Sequence, residues 1–250
     1  MVDMGVHGQP GSTPPVNSPD RRRALALAAG LAASAALILP GCARGDHDKE
    51  GEKEVTANED LMREHGVLRR ILIVYREIAP RIAADPAKVD GGALAQAATL
   101  FRDFGERYHE QMLEEQHIFP LVRKAGGEGA ALIDPLLAQH ARGREITAYV
   151  LDRTRTGRIS SGDGETLAQA MTAFSRMYEA HAAREDTVVF PAFKASLSAK
   201  ALDELGEQFE DIEHRQFGGD GFDIAVDKVA NIERALGVAD LSSFTAPRVV

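Results

Sequence analysis

Apolar residues recur at intervals of three and four through four long segments of the chain, the spacing that predicts amphipathic helices. From Asn58 to about residue 84 the stripe is Leu61, Leu68, Leu72, Tyr75 and Ala79, with His65 in the one step left open. Asn58 reads as its N-cap and Pro80 as a kink or a stop. The second segment opens after Asp90-Gly91-Gly92, carries Leu94, Ala98, Phe101, Gly105, His109 and Met112, and ends near Lys124, before Gly126-Gly127. The third is expected to open at Asp134-Pro135, a cap followed by proline at the first helical position. Its stripe is Leu136, His140, Arg144, Thr147 and Leu151. The fourth runs from near Asp163 to about Ser196 through Leu167, Met171, Phe174, Tyr178, His181, Glu185, Val188 and Ala192.

Two of these segments share a motif. His109-Glu110-Gln111-Met112-Leu113-Glu114-Glu115-Gln116-His117-Ile118-Phe119-Pro120 returns loosely as His181-Ala182-Ala183-Arg184-Glu185-Asp186-Thr187-Val188-Val189-Phe190-Pro191. Each copy follows a lone histidine, His65 or His140, so the chain reads as two halves built to one helix-pair plan. No stretch alternates with period two for long enough to be a strand. The fold predicted is all-α: an up-down-up-down four-helix bundle over 58–196. Two further helices, Ser198 to about Phe217 and Phe222 to Leu236, belong to a C-terminal extension over 197–250.

Each long segment thus places one histidine on its core-facing stripe. A single buried imidazole is ordinarily satisfied by a hydrogen bond, but four at matching positions are better satisfied by a metal that takes one nitrogen of each ring. Glu185 lies four residues after His181, about 40° around a regular helix, so the two share a face. Glu114 follows His109 by five, about 140° around, too far to share one. A π-bulge near Gln111–Leu113 would absorb the extra residue and swing Glu114 inward, with Glu110 the next candidate. Nitrogen and carboxylate ligands without thiolate suit iron, manganese or zinc, and two carboxylates from opposite helices can bridge two ions.

Composition narrows the class. The chain has 250 residues, 27% of them charged and 44% hydrophobic, enough for one core of moderate size. A net charge of -9 with no basic cluster outside the N-terminus argues against nucleic acid as a partner. One cysteine, Cys42, cannot form an internal disulfide or a thiolate zinc site. It follows a basic stretch at Arg21-Arg22-Arg23 and an uncharged run from Ala24 to Leu39, too short to span a bilayer and typical of an export signal. The paired arginines resemble a twin-arginine signal, and Leu39-Pro40-Gly41-Cys42 resembles a lipobox, which would tether the exported chain by lipid at Cys42. Residues 1–42 are therefore expected to be a signal peptide and 43–57 a flexible tether, with the protein in the periplasm or on the outer face of the cell envelope. Membrane contact is then expected only through the lipid.

The lone His65, the His109/Glu114 pair, the lone His140 and the His181/Glu185 pair resemble the hemerythrin-like (HHE cation-binding) domain over roughly residues 58–194. The resemblance implies a four-helix bundle holding an oxo- or hydroxo-bridged di-iron centre that binds O2, or senses oxygen, nitric oxide or iron. It implies metal ligation by His65, His109, Glu114, His140 and His181, with Glu185 or Asp186 completing the last pair. Oxygen carriers of the family have a second third-helix histidine where this chain has Arg144. The second metal would then be richer in carboxylate, through Glu110, and Arg144 would pair with a ligand carboxylate or a bound anion or peroxide, or else reach solvent. Three functions follow: a binding or sensing protein for O2, NO or reactive oxygen species, or an iron-handling one; a di-iron peroxidase or oxidase with a redox partner; or a metal-free structural bundle. His117, three residues after Glu114, resembles half of a ferritin-type Glu-x-x-His motif but has no counterpart on another helix, and His214 is expected at the surface. Tyr108 and Tyr178 flank ligand histidines and are expected in the core.

Overall fold

The computed structural model describes residues 55–249, so the expected export signal and most of the expected tether lie outside the described residues. The described chain is all-α. Helix α1 is Ala57–Ala84. Helix α2 (91–125) joins an α-helical turn set, Gly91–Leu100, to a π-helical stretch, Phe101–Ile118, and returns to α over Phe119–Ala125. Helix α3 is Gly127–Thr154. Helix α4 (164–195) is α over Gly164–Arg184, π over Glu185–Val189 and α again over Phe190–Ala195. These four pack as the bundle, α1 chiefly on α4 and α2 on α3, and α5 (Ala199–Phe217) and α6 (Gly221–Leu236) lie against α1 and α2. Among the described residues no helix is long and apolar enough to cross a membrane.

Helix ends follow local chemistry, with two departures from expectation. Thr56, not Asn58, caps α1: its side chain accepts from the Glu59 amide while Glu59 returns a bond to the Thr56 amide. That reciprocal pair satisfies two amides that a lone Asn58 cap would not, and it leaves Asn58 buried within the first turn. Helix α3 opens at Gly127 and carries Pro135 inside it, as α1 carries Pro80. Both prolines are exposed, so the carbonyl that each leaves without a donor can be hydrated. The link from α2 to α3 is a single residue, Gly126, at φ 79, a left-handed value that glycine adopts without steric cost.

The predicted stripes of α1 and α4 are buried, including Leu61, Leu72, Tyr75, Met171 and Phe174. Past Glu185, however, the core positions are Val189 and Phe193 rather than Val188 and Ala192. The π turn there inserts the extra residue that shifts the register by one. An aromatic ladder, Tyr75–Phe174–Phe101–Tyr178, runs along the bundle axis with centroid spacings of 5.5, 4.7 and 4.8 Å and ends against His181 at 5.2 Å. Each such buried ring contributes about 1.5–3 kcal/mol from burial alone, and the ladder fixes the depth at which the histidines lie.

Candidate metal centre

The four stripe histidines meet. The Nε2 atoms of His65 and His109 are 3.0 Å apart, and those of His140 and His181 3.2 Å apart. All four rings are buried, His140 completely. Between the two pairs lie Glu114 and Glu185, both at 0% exposure. Glu114 faces His109 with Oε1 at 3.5 Å and His140 with Oε2 at 3.3 Å. Glu185 Oε2 faces His65 at 3.5 Å and His181 at 3.0 Å. Each carboxylate therefore touches one ring from each pair.

Backbone winding puts them there. In the π stretch, hydrogen bonds join residues five apart, which stacks Glu114 on His109, and the Phe119 amide donates to the Glu114 carbonyl. The stretch is much longer than the local bulge expected at Gln111–Leu113. In α4, His181 and Glu185 are related by ordinary α winding, and the π turn comes just after, closed by the Phe190 amide on the Glu185 carbonyl. In both copies the next residue is proline, which has no amide to continue the ladder, so α winding can resume. The two phenylalanines then stack on the lone histidines: Phe190 on His65 at 5.2 Å and Phe119 on His140 at 5.5 Å.

The outward nitrogens are all engaged. His65 Nδ1 is 2.7 Å from Asp186, His109 Nδ1 2.6 Å from Glu64, His140 Nδ1 2.9 Å from Glu115 and His181 Nδ1 2.9 Å from Gln139 Oε1. With Nδ1–H donating to these oxygens, each Nε2 lone pair points at the centre, the tautomer a metal ligand needs. Arg69 donates to Asp186, and Arg144 to Glu115 at 2.9 Å. The Tyr108 hydroxyl donates to Glu64 at 2.9 Å.

Glu110 and Arg144 sit behind His140 rather than among the converging Nε2 atoms. Glu110 accepts from the Tyr178 hydroxyl at 2.7 Å and from Arg144 at 3.3 Å, and comes no nearer than 3.9 Å to His140 Nδ1. Helix α2 makes that arrangement, because π winding carries Glu110 to the line of Glu115 and away from that of Glu114. Asp186 holds the far nitrogen of His65. His117 is half-buried against Phe209, with centroids 5.6 Å apart, and His214 is exposed.

Electrostatics expose the tension in this arrangement. Burial opposes charge on His109, but Glu114 and Glu64 outweigh it and hold the ring well above its ordinary value. Burial likewise opposes charge on His140, and Glu110, Glu114 and Glu115 raise it to about 10. Burial would neutralise Glu185, yet His181 and His65 keep its carboxyl well below the usual range. Even so, both oxygens of Glu114 and both of Glu185 are buried without a hydrogen bond of proper geometry. Four orphaned carboxylate oxygens, three of them within 3.5 Å of the four Nε2 atoms, fit metal cations better than they fit protons, since leaving such atoms unpaired costs several kcal/mol. The groups His65–His109–Glu114, Glu114–His140–His181–Glu185 and, on the outer side of His140, Glu110–Glu115–His140 each present ligand atoms within 4.8 Å of one another.

Sequence reasoning missed the outer partners Glu64, Glu115 and Gln139, and missed Arg69. A signal existed: Glu64-His65-x-x-x-Arg69 and Gln139-His140-x-x-x-Arg144 are a second repeat, placed in α1 and α3 as the Phe-Pro repeat is placed in α2 and α4.

Comparisons with known proteins point the same way. The family profile described as hemerythrin HHE cation binding domain matches residues 56–193. An uncharacterized protein of Mycobacterium tuberculosis, Rv1995 (strain ATCC 25618 / H37Rv), is 46% identical over 241 residues, covering 93% of both chains. The uncharacterized protein Mb2018 of Mycobacterium bovis matches to the same extent. No solved structure matches the chain significantly.

Proposed function

Because the chain belongs to the hemerythrin HHE cation-binding family, we propose that it is a non-haem di-iron protein that binds or senses O2, NO or a reactive oxygen species. His65 and His109 would hold one ion, His140 and His181 the other, with Glu114 and Glu185 shared between them. The observation that carries this reading is the pair of buried carboxylates Glu114 and Glu185, whose oxygens lack hydrogen bonds and which each lie against one Nε2 atom of either histidine pair. Iron supplies reversible redox chemistry and open coordination positions for a small ligand. Manganese or zinc would satisfy the same donors.

The chain's own residues restrict what can approach. A cavity of about 10 Å³ beside the rings is lined by His65, His109, His181, Arg69, Glu110 and Tyr178, with Leu68, Leu72 and Ala182. That is room for about one water-sized molecule, so a diatomic or a peroxide suits it and a larger organic substrate does not. Leu68, Leu72 and Ala182 form its apolar side, and Tyr178 is held by Glu110 rather than turned freely into the space. The expected N-terminal signal would put this chemistry in the cell envelope, close to incoming oxygen and nitric oxide.

Anaerobic reconstitution with Fe2+ tests the reading. Two iron ions per chain should bind, and admission of O2 should produce near-ultraviolet and visible charge-transfer absorption. A protein that stays colourless and iron-free while correctly folded would leave only the structural bundle. Sustained turnover of peroxide with an electron donor would move the assignment to the oxidase or peroxidase reading.

A further inference from the structure

The two halves of the centre repeat one plan. His65 corresponds to His140, His109 to His181, Glu114 to Glu185 and Glu115 to Asp186. The contacts repeat as well: the lone histidine donates to the second acid of the opposite half, and an arginine four residues after it, Arg69 or Arg144, binds that same acid. The residue just before the lone histidine takes Nδ1 of the paired histidine, Glu64 for His109 and Gln139 for His181. This last correspondence breaks the symmetry. One ring donates to a carboxylate that is 1% exposed and also accepts from a tyrosine hydroxyl; its counterpart donates to a neutral amide.

A carboxylate on Nδ1–H makes the imidazole a stronger donor through Nε2 and locks its tautomer, because a carboxylate only accepts. An amide does less of the first, and it can present its NH2 instead of its oxygen, so the tautomer is held less firmly. The halves also differ at Glu110, whose counterpart is Ala182. With it, each half has two outer carboxylates and one guanidinium, so their formal charges are equal. Glu110 nevertheless spends its oxygens on Tyr178 and Arg144 and makes no hydrogen bond to a ligand ring. Glu110 thus acts on His140 only through its charge, and the halves differ in direct contact by the acceptor that touches the paired imidazole.

Resting on the di-metal reading, we propose that the two metal positions are unequal: the His65–His109 position holds its cation tightly, the His140–His181 position exchanges, and Glu64 against Gln139 sets the difference. A form with one cation on the α1–α2 side is then a defined species, filled and emptied at the α3–α4 side.

Anaerobic titration of the full chain with Co2+, followed by its visible absorption and by competition with a chelator, reads both steps. The wild type should bind two equivalents, the first about 10–100-fold more tightly, the range over which an outer hydrogen-bond partner changes metal affinity. His140→Ala should abolish the weak step and His65→Ala the tight one. Glu64→Gln should bring the two affinities together, and Gln139→Glu should do so by strengthening the second. The double exchange, Glu64→Gln with Gln139→Glu, should invert the order, so that His140→Ala now removes the tight step. Damage to folding cannot produce that inversion. Two equal steps in the wild type, or an affinity ratio unmoved by both single exchanges, would overturn this inference alone. A folded chain that takes up no cation in any form would take down the di-metal reading, and the inequality with it.

Discussion

Gly143 shows how closely the residues behind the centre are fitted. A β-carbon there would lie 2.0 Å from the Tyr178 hydroxyl, which must stay where it is to reach Glu110. Gly143→Ala should therefore displace Tyr178 and free Glu110. The expected result is a melting temperature lowered by several degrees and an altered charge-transfer spectrum of the iron-loaded protein, with both iron ions retained. The ligand assignment makes a different prediction for histidines. His140→Ala should lose at least one metal equivalent, whereas His117→Ala should keep both, since its ring lies against Phe209 and outside the cluster. Equal metal loss in the two variants would favour the ferritin-type reading of Glu114 and His117. Residues of this kind were legible because they interrupt an apolar stripe: His65, His109, His140, His181 and Glu185 each fill a step that the pattern reserves for the core. Glu64 and Gln139 were not, because a polar residue beside a stripe ordinarily faces solvent, and only the neighbouring helix turns it into a hydrogen-bond partner.

At the scale of the element, the π winding of α2 is the departure that matters. One extra residue between His109 and the acidic pair announces that the helix must adjust, but spacing cannot say how far the adjustment spreads. It spreads over Phe101–Ile118, and a second π turn follows Glu185 where no extra residue had announced it. Hydrogen bonding of this type is uncommon and usually confined to a single turn, so the stretch should be the part of the bundle most dependent on its ligands. Hydrogen exchange by mass spectrometry should show 101–118 less protected than α1 in metal-free protein, and strongly protected once metal ties His109 to Glu114. If protection there were the same with and without metal, the stretch would be held by packing alone. The cap of α1 offers a contrasting case with no bearing on the site. Thr56→Ala breaks the capping box and should cost about 1 kcal/mol, a fall in melting temperature of about 2–4 °C, with metal stoichiometry unchanged.

For the whole molecule, buried acids set the pH response of the metal-free protein. Burial raises Asp60, next to Glu64, to about 6. Burial also raises Glu213 and Glu106 to about 7. These groups hold protons in the folded chain that the unfolded chain has already lost near pH 4, so folding binds protons and stability falls as pH rises. Their contribution is fully present below about pH 4 and is lost by about pH 7. His140, raised to about 10, extends the decline upward. Glu185 acts in the opposite sense: its lowered value stabilises above about 4.5 and that gain is lost in acid. Thermal melts of metal-free protein should therefore show highest stability near pH 5 and a clear loss by pH 8, with Glu213→Gln flattening the slope. Metal requires deprotonated Nε2 atoms, so loading should release protons and restore stability at pH 8. A metal-free protein that is steadier at pH 8 than at pH 5 would contradict this account.

What the amino-acid order determined by itself was the periodic part: four long helices, two following ones, four histidines on core faces and a duplicated acidic motif. Those follow from rules of local spacing, in which a residue three or four positions along shares a face. What only the packed molecule decided was the part that depends on which helix stands beside which. Asp186 of α4 reaching His65 of α1, Gln139 of α3 reaching His181 of α4, and Arg144 turning to Glu115 and Glu110 are contacts between residues distant in the chain. Their energies depend on burial and direction, and neither exists until the helices have docked.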